Sequence, residues 1–250
     1  MFDFLYYISL NTFLFYSLFI LCILYAVHSQ SKPQKREGFS QRERFVVNTG
    51  SDIYDDFYCQ IYDTIHKKSF DFEMIKATNP SKNSVFLDVG SGTGDTVYAL
   101  TRMGYQAYGI EKSPAMVRIS QKKYPTIRII QGDVMDPMKF DNDTFTHIYI
   151  RSTIDFIPDK YTFFRYCYSW LKPGGHLIIH VEEYPKAMEF KGVKYDTYKK
   201  ENEWSERFVD KKTGNVRENE YCLYREPISE IDRKAMDSGF KKEAEGVYIK

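Results

Sequence analysis

The sequence predicts an α/β domain, a mostly parallel twisted sheet with helices on both faces, preceded by one transmembrane helix. Three observations predict it. Short apolar runs alternate with helical patterns from residue 84 to about 181. A glycine-rich turn joins the first such run to the first such helix. A stretch of 24 residues without a charge, 4–27, stands near the start of the chain.

That stretch, FLYYISLNTFLFYSLFILCILYAV, rises about 36 Å as a helix, against about 30 Å for a hydrocarbon core. Tyr6, Tyr7 and Tyr25 sit near its ends, where amphipathic rings favour the interface. A cleaved signal peptide competes, with Val27-His28-Ser29 as its cleavage site. The apolar run exceeds the about 7–15 residues of such peptides, and Asp3 rather than a Lys or Arg precedes it, which favours a permanent anchor over 1–28. Residues 29–50 form a linker made basic by Lys32, Lys35, Arg36, Arg42 and Arg44. Positive charge after the span places the remaining domain, 51–250, in the cytosol of a single-pass membrane protein.

Within that domain Ser51-Asp52 caps a helix running to about residue 77, with Ile53, Tyr54, Phe57, Tyr58, Ile61, Tyr62 and Ile65 at three- and four-residue spacing. Strands follow at 84–89, 107–110, 127–131, 145–150 and 176–181. Helices at 95–103, 114–123 and 161–171 separate them, the last stopped by Lys172-Pro173-Gly174-Gly175. Beyond residue 183 the alternation lapses into a hairpin over 206–226 turning at Thr213-Gly214-Asn215, a helix over 228–237 and a single last strand over 242–249. Residues 84–183 thus form a core, and 184–250 a substrate-side and C-terminal part.

With 35 Lys+Arg against 34 Asp+Glu, the charge balance argues against a partner held by bulk phosphate contacts, so no nucleic acid is expected. The four cysteines are scattered without a C-x-x-C pair and the five histidines form no zinc pattern, so no metal is expected.

The segment carrying chemistry is 85–95, Val-Phe-Leu-Asp-Val-Gly-Ser-Gly-Thr-Gly-Asp. Glycine at 90, 92 and 94 lets a ligand lie against the backbone where a helix opens. Asp88 stands two residues before the first glycine; there a negative charge hinders a pyrophosphate but orders the loop or attracts an ammonium. Position 95 is Asp, so the dinucleotide spacing G-x-G-x-x-G is absent. Glu111 ends the second strand, where a carboxylate can accept hydrogen bonds from both hydroxyls of a ribose. Asp133 ends the third, placed to meet an adenine edge.

These residues, in LDVGSGTG, YGIEKS, IIQGDV and LKPGGHLII, make the chain resemble the class I S-adenosylmethionine-dependent methyltransferases, well over 50–183 and roughly over 184–250. The resemblance is to the small-molecule branch that includes quinone and sterol methyltransferases. It implies a Rossmann-like fold and S-adenosyl-L-methionine as cofactor. It places the methionine part at Gly90, Ser91 and Gly92, with Gly94 in the same loop, the ribose on Glu111, and the adenine beside Lys112, Asp133 and Val134. Arg151 and Ser152 lie at the C-terminal mouth of the fourth strand, where ligands bind in such sheets, and Arg151 is counted with the cofactor residues. Tyr54, Tyr58 and Tyr62 are candidates for a tyrosine lent by the preceding helix.

Methyl transfer from a sulfonium is an in-line displacement needing alignment and exclusion of water, with one positioned base if the acceptor is a hydroxyl or acidic carbon. Where the family usually carries histidine this chain reads Asp155-Phe156-Ile157-Pro158-Asp159, so Asp155 is the candidate base, with His147 behind it. An anchor favours a lipid-like small acceptor. The alternatives are methylation of a membrane-proximal protein, or a catalytically inactive module that binds the cofactor. The sequence leaves the oligomeric state open.

Overall fold

The computed structural model describes residues 10–30, 45–66, 72–182, 185–200 and 203–250. The chain forms two compact units, Met1–Arg36 and Glu37–Lys250. The first contains a single described helix, α1 (Leu10–Gln30), apolar on all sides, with Phe15, Leu18 and Leu21 among its exposed residues. The expected membrane span is not found. Among the described residues no helix is long and apolar enough to cross a membrane. Asn11 and Thr12 interrupt the start of α1 and His28-Ser29-Gln30 close it, which leaves residues 13–27 as its apolar part. Those residues rise about 22 Å. Residues 1–9 and the basic segment 31–44 lie outside the described residues.

The second unit opens with β1 (Phe45–Thr49), which the sequence does not announce, and a 3-10 turn over Gly50–Ile53. The single helix expected over 51–77 is divided into α2 (Asp56–Ile65) and α3 (Phe72–Ala77). The cap of α2 is Asp55, whose carboxylate accepts the Tyr58 N–H at 2.9 Å, rather than Ser51 or Asp52. Alternating elements follow as expected: β2 (Val85–Val89), α4 (Asp95–Arg102), β3 (Gln106–Glu111), α5 (Pro114–Lys123), β4 (Arg128–Gln131) and β5 (Phe145–Arg151). Ser113 caps α5 by accepting the Met116 N–H, and Pro114 supplies a pre-set first turn.

A 3-10 turn at Thr153–Phe156 leads to α6 (Lys160–Trp170) and β6 (Leu171–His180). β6 starts five residues earlier than expected, because Leu171 pairs with Phe145 and the register shifts between there and the His147–His176 pair. Then come β7 (Met188–Phe190), β8 (Val193–Lys200), β9 (Glu203–Asp210), β10 (Val216–Cys222), α7 (Ile228–Asp237), β11 (Lys241–Ala244) and β12 (Val247–Ile249). The hairpin turning near Gly214 and the helix over 228–237 match the expectation. The single last strand does not: Glu245-Gly246, with Gly246 at φ +67°, folds it into an antiparallel pair.

Seven strands form one sheet in the order β11-β12-β6-β5-β2-β3-β4. The five strands from β6 to the edge strand β4 are parallel and β12 joins β6 antiparallel, so the sheet is mixed. Successive side chains leave opposite faces of a strand. Leu87, Ile148, Ile150 and Leu177 therefore pack on one side with Phe163, Phe164 and Trp170 of α6 and Ile231 of α7. Phe86, Tyr149 and Ile178 pack on the other with Ile75 of α3 and Val97 and Leu100 of α4. Each such large side chain contributes about 1.5–3 kcal/mol by leaving water. The second sheet has the order β1-β10-β9-β8-β7 and buries Tyr195, Trp204, Phe208 and Tyr221 against Phe57, Tyr58 and Ile65 of α2. α2 is packed between this sheet and α5, touching the latter through Cys59, Ala115 and Met116.

Candidate active site

A cavity of about 1460 Å³ opens at the C-terminal ends of β2 to β5, roofed by α2 and by the inward face of the second sheet. Among the expected residues it brings together Asp88, Gly90, Ser91, Gly92, Glu111, Lys112, Asp133, Val134 and Arg151. Gly90 has φ +69° and a Cβ there would stand 2.2 Å from Thr153 Oγ1, so no other residue fits. The Gly92 N–H donates to Glu111 Oε2 at 2.9 Å and the Ser113 N–H donates to Oε1 at 2.8 Å. Glu111 thus ties the loop to the start of α5. Burial raises the Asp133 carboxyl, and the Met135 N–H with the Lys112 ammonium at 2.9 Å more than offset it, leaving it below its ordinary value.

A fit for S-adenosylmethionine can be judged on these groups. The buried Ser91 hydroxyl lines the cavity without a hydrogen-bond partner among the described residues. Next to it lie the backbone cradle of Gly90, a carboxylate suited to a ribose, and a second carboxylate 22 residues on, at the end of β4. The residues fit the group.

Two expected residues lie elsewhere. Gly94 faces away from the cavity; a Cβ on it would stand 2.4 Å from Ile127 Cδ1, so it serves the close packing of α4 on α5. Asp155 is buried but does not line the cavity; its carboxylate pairs with Arg225 Nε at 3.3 Å and its carbonyl accepts the Tyr224 N–H. Ser152, at φ +53°, turns the chain so that Phe156 and Ile157 face the cavity in its place. His147 is stacked between Phe86 at 4.4 Å and His176 at 5.5 Å, and burial, then His176, push its pKa down to about 4. It packs in the sheet and does not reach the cavity.

Tyr54, Tyr58 and Tyr62 all line the cavity, in edge-to-face pairs with centroids 5.8 and 5.7 Å apart. The sequence suggests that the aromatic-rich helix over 53–65 and the hairpin over 206–226 could wall a cleft, but singles out none of the residues of the far wall, where His66, Trp204, Glu206, Tyr221 and Tyr224 stand. A signal existed. β9 alternates buried and half-buried positions from Trp204 to Asp210, and Glu206 takes an inward place between Trp204 and Phe208. The cavity is acidic: its wall carries seven carboxylates against one Lys and one Arg. Both cations are already paired, Lys112 with Asp133 and Arg151 with Glu182.

Comparison with known proteins agrees with this geometry. A family described as "Methyltransferase domain" matches residues 87–179. A demethylmenaquinone methyltransferase of Bacillus licheniformis is 30% identical over 168 residues, 65% of this chain and 68% of that protein. Phosphoethanolamine N-methyltransferase 3 of Arabidopsis thaliana is 35% identical over 97 residues, 37% of this chain and 20% of that protein. In fold the chain is similar to S-adenosylmethionine-bound CalS10 of Micromonospora echinaspora, with a TM-score of 0.58 and 19% identity over 76% of this chain and 95% of that one.

Proposed function

We infer, from a chain that belongs to the class I S-adenosylmethionine-dependent methyltransferases, that its acceptor is a small, ring-bearing molecule of the quinone kind. When bound, the cofactor supplies an activated methyl group on a sulfonium. The chain's own work is to bind, align and exclude water. In this proposal Asp88, Gly90, Ser91 and Gly92 receive the methionine part, Glu111 the ribose, and Lys112, Asp133 and Val134 the adenine. Arg151, held by Glu182, borders the point where cofactor and acceptor meet. Residues 84–183 carry the cofactor half and 184–250 most of the acceptor half.

The observation that carries the acceptor class is the aromatic lining of the cavity. Tyr58, Tyr62, Phe156, Trp204 and Tyr221 offer aromatic faces on which a flat ring can stack. A demethylmenaquinone-named relative supports the same class. The phosphoethanolamine-named relative favours a second reading, a phosphorylated amine. The acidic wall with both cations paired opposes it, because a phosphate there meets like charge. Membrane anchoring forms no part of the proposal, and Asp155 is withdrawn as its base.

The test offers labelled S-adenosylmethionine to the full chain with demethylmenaquinone, under reducing and oxidising conditions, or with phosphoethanolamine. Label on the quinone-type acceptor in either redox state supports the reading. Label on phosphoethanolamine alone, or on neither, overturns it.

A further inference from the structure

The acceptor half of the cavity holds a buried carboxylate ringed by hydrogen-bond donors. Glu206 is fully buried at an inward position of β9 where an apolar residue would pack without desolvating a charge. Instead it is surrounded by donors: Tyr195 Oη at 2.8 Å, Tyr221 Oη at 2.6 Å and Asn219 Nδ2 at 3.4 Å. His66 Nε2 lies 3.5 Å from its Oε1 and 3.1 Å from Tyr58 Oη. The Tyr62 ring stacks on the imidazole with centroids 4.2 Å apart. His66 also closes the C-terminal end of α2, its N–H bonded to the Tyr62 carbonyl at 2.8 Å.

With Nε2 facing a carboxylate and a hydroxyl, the hydrogen of the neutral ring belongs on Nε2 and the lone pair on Nδ1. Among the described residues, the ionisable groups facing the ring are Tyr58 and Tyr62 from α2 and Glu206 from β9, with Tyr195 of β8 and Tyr221 of β10 beyond Glu206. His66 and Glu206 line the same cavity as Gly90 and Glu111. Tyr54 and Tyr62 feel the charges of both Glu111 and Glu206, so they stand between its two ends.

We propose that His66, held by Glu206 and Tyr58, is the base that takes the ring-hydroxyl proton of a hydroquinone-type acceptor. The inference rests on the acceptor class proposed above. The acceptor's hydroxyl proton passes to His66 Nδ1. The acceptor oxygen forms the new bond to the methyl carbon at the expense of the carbon–sulfur bond, whose electron pair stays on sulfur. Attack through the neighbouring ring carbon has the same balance once that carbon gives up its hydrogen as a proton and the hydroxyl is restored. One positive charge leaves sulfur and one arrives on the imidazole, beside the Glu206 carboxylate. Glu206 acts through His66 and is a positioning residue. The oxidised, quinone form has no hydroxyl proton to give and is not a substrate.

The experiment compares wild-type full chain, His66→Asn and Glu206→Gln with labelled S-adenosylmethionine and demethylmenaquinone, kept reduced or left oxidised. Calorimetry with S-adenosylhomocysteine verifies that each variant is folded. The expected result is label on the reduced acceptor only. His66→Asn should keep cofactor affinity within about threefold and lose roughly 10²–10⁴ in kcat. Raising the pH should restore much of that loss in the variant, because the acceptor hydroxyl then ionises by itself. Glu206→Gln should lower kcat less and move the acid limb of the pH profile. Wild-type chain that binds the cofactor product but methylates neither form overturns the acceptor reading, and this inference with it. Equal methylation of both forms, full activity in His66→Asn, or a loss in that variant equal at every pH overturns the inference alone.

Discussion

Glu111 connects sequence, fold and the proposed ribose contact in one side chain. Its two oxygens accept the Gly92 and Ser113 N–H groups and so fix the loop and the start of α5 in one arrangement. Replacing it with Gln keeps the shape but removes the charge that the loop amides and a ribose would share. We expect Glu111→Gln to weaken S-adenosylhomocysteine binding by about 1.5–3 kcal/mol, the range for a hydrogen bond to a charged group. Titration calorimetry checks this, and unchanged affinity would contradict the assignment. Gly90, Glu111 and Asp133 were legible in the sequence because local spacing placed them at the ends of consecutive parallel strands, and strand ends in such a sheet share one mouth. Asp155 was misread because its direction depends on Ser152 at φ +53°, a non-glycine residue in a left-handed conformation that no spacing rule announces. His66 was missed for another reason. Its partner Glu206 lies 140 positions away in sequence, and only the packing of α2 on the second sheet brings them together.

The elements of the parallel core were readable because buried strands are short apolar runs flanked by clear turns. β7 and β8 were not, since lysines and acids interrupt the alternation of VKYDTYKK. Arg217 on β10 illustrates how the second sheet is tied to α2. It is 1% exposed, stacks over the Phe57 ring at 5.2 Å, and donates to Asp55 at 2.5 Å and to the Ile53 carbonyl at 2.9 Å. Arg217→Met should cost about 3 kcal/mol, the lower end for breaking a buried pair because Asp55 is part exposed. Denaturant unfolding measures it, and a loss under about 1 kcal/mol would show that the sheet does not depend on this tie. Within β5, His147 makes stability depend on pH. Its folded pKa lies near 4, below its ordinary 6.5, so the unfolded chain binds the proton first as pH falls. Its contribution is full above about 6.5 and declines toward pH 4, by up to about 3 kcal/mol. Melting curves across that window should fall more steeply for wild-type chain than for His147→Phe. Parallel curves would mean that His147 takes up its proton as readily in the fold as in the unfolded chain.

At the scale of the whole second unit, one sheet supplies the edge proposed to hold the cofactor and the other supplies an aromatic, acidic wall facing it. The first sheet follows from a local pattern that the sequence displays. The second adds β1, parallel to β10, to the antiparallel strands β7 to β10, whose inward polar residues, Glu206, Arg217 and Asn219, break the apolar alternation used to recognise strands. The site therefore divides into a half that could be read from spacing and a half that required the fold. The central claim is that the loop around Gly90 cradles S-adenosylmethionine. Titration calorimetry of S-adenosylhomocysteine into wild-type full chain and Gly90→Val tests it most directly, since a Cβ at that position would stand 2.2 Å from Thr153 Oγ1, where the loop and the turn after β5 meet. The expected result is one-site binding by the wild type and none by the variant. Absence of binding by folded wild-type chain, or equal affinity in folded Gly90→Val, would contradict the account.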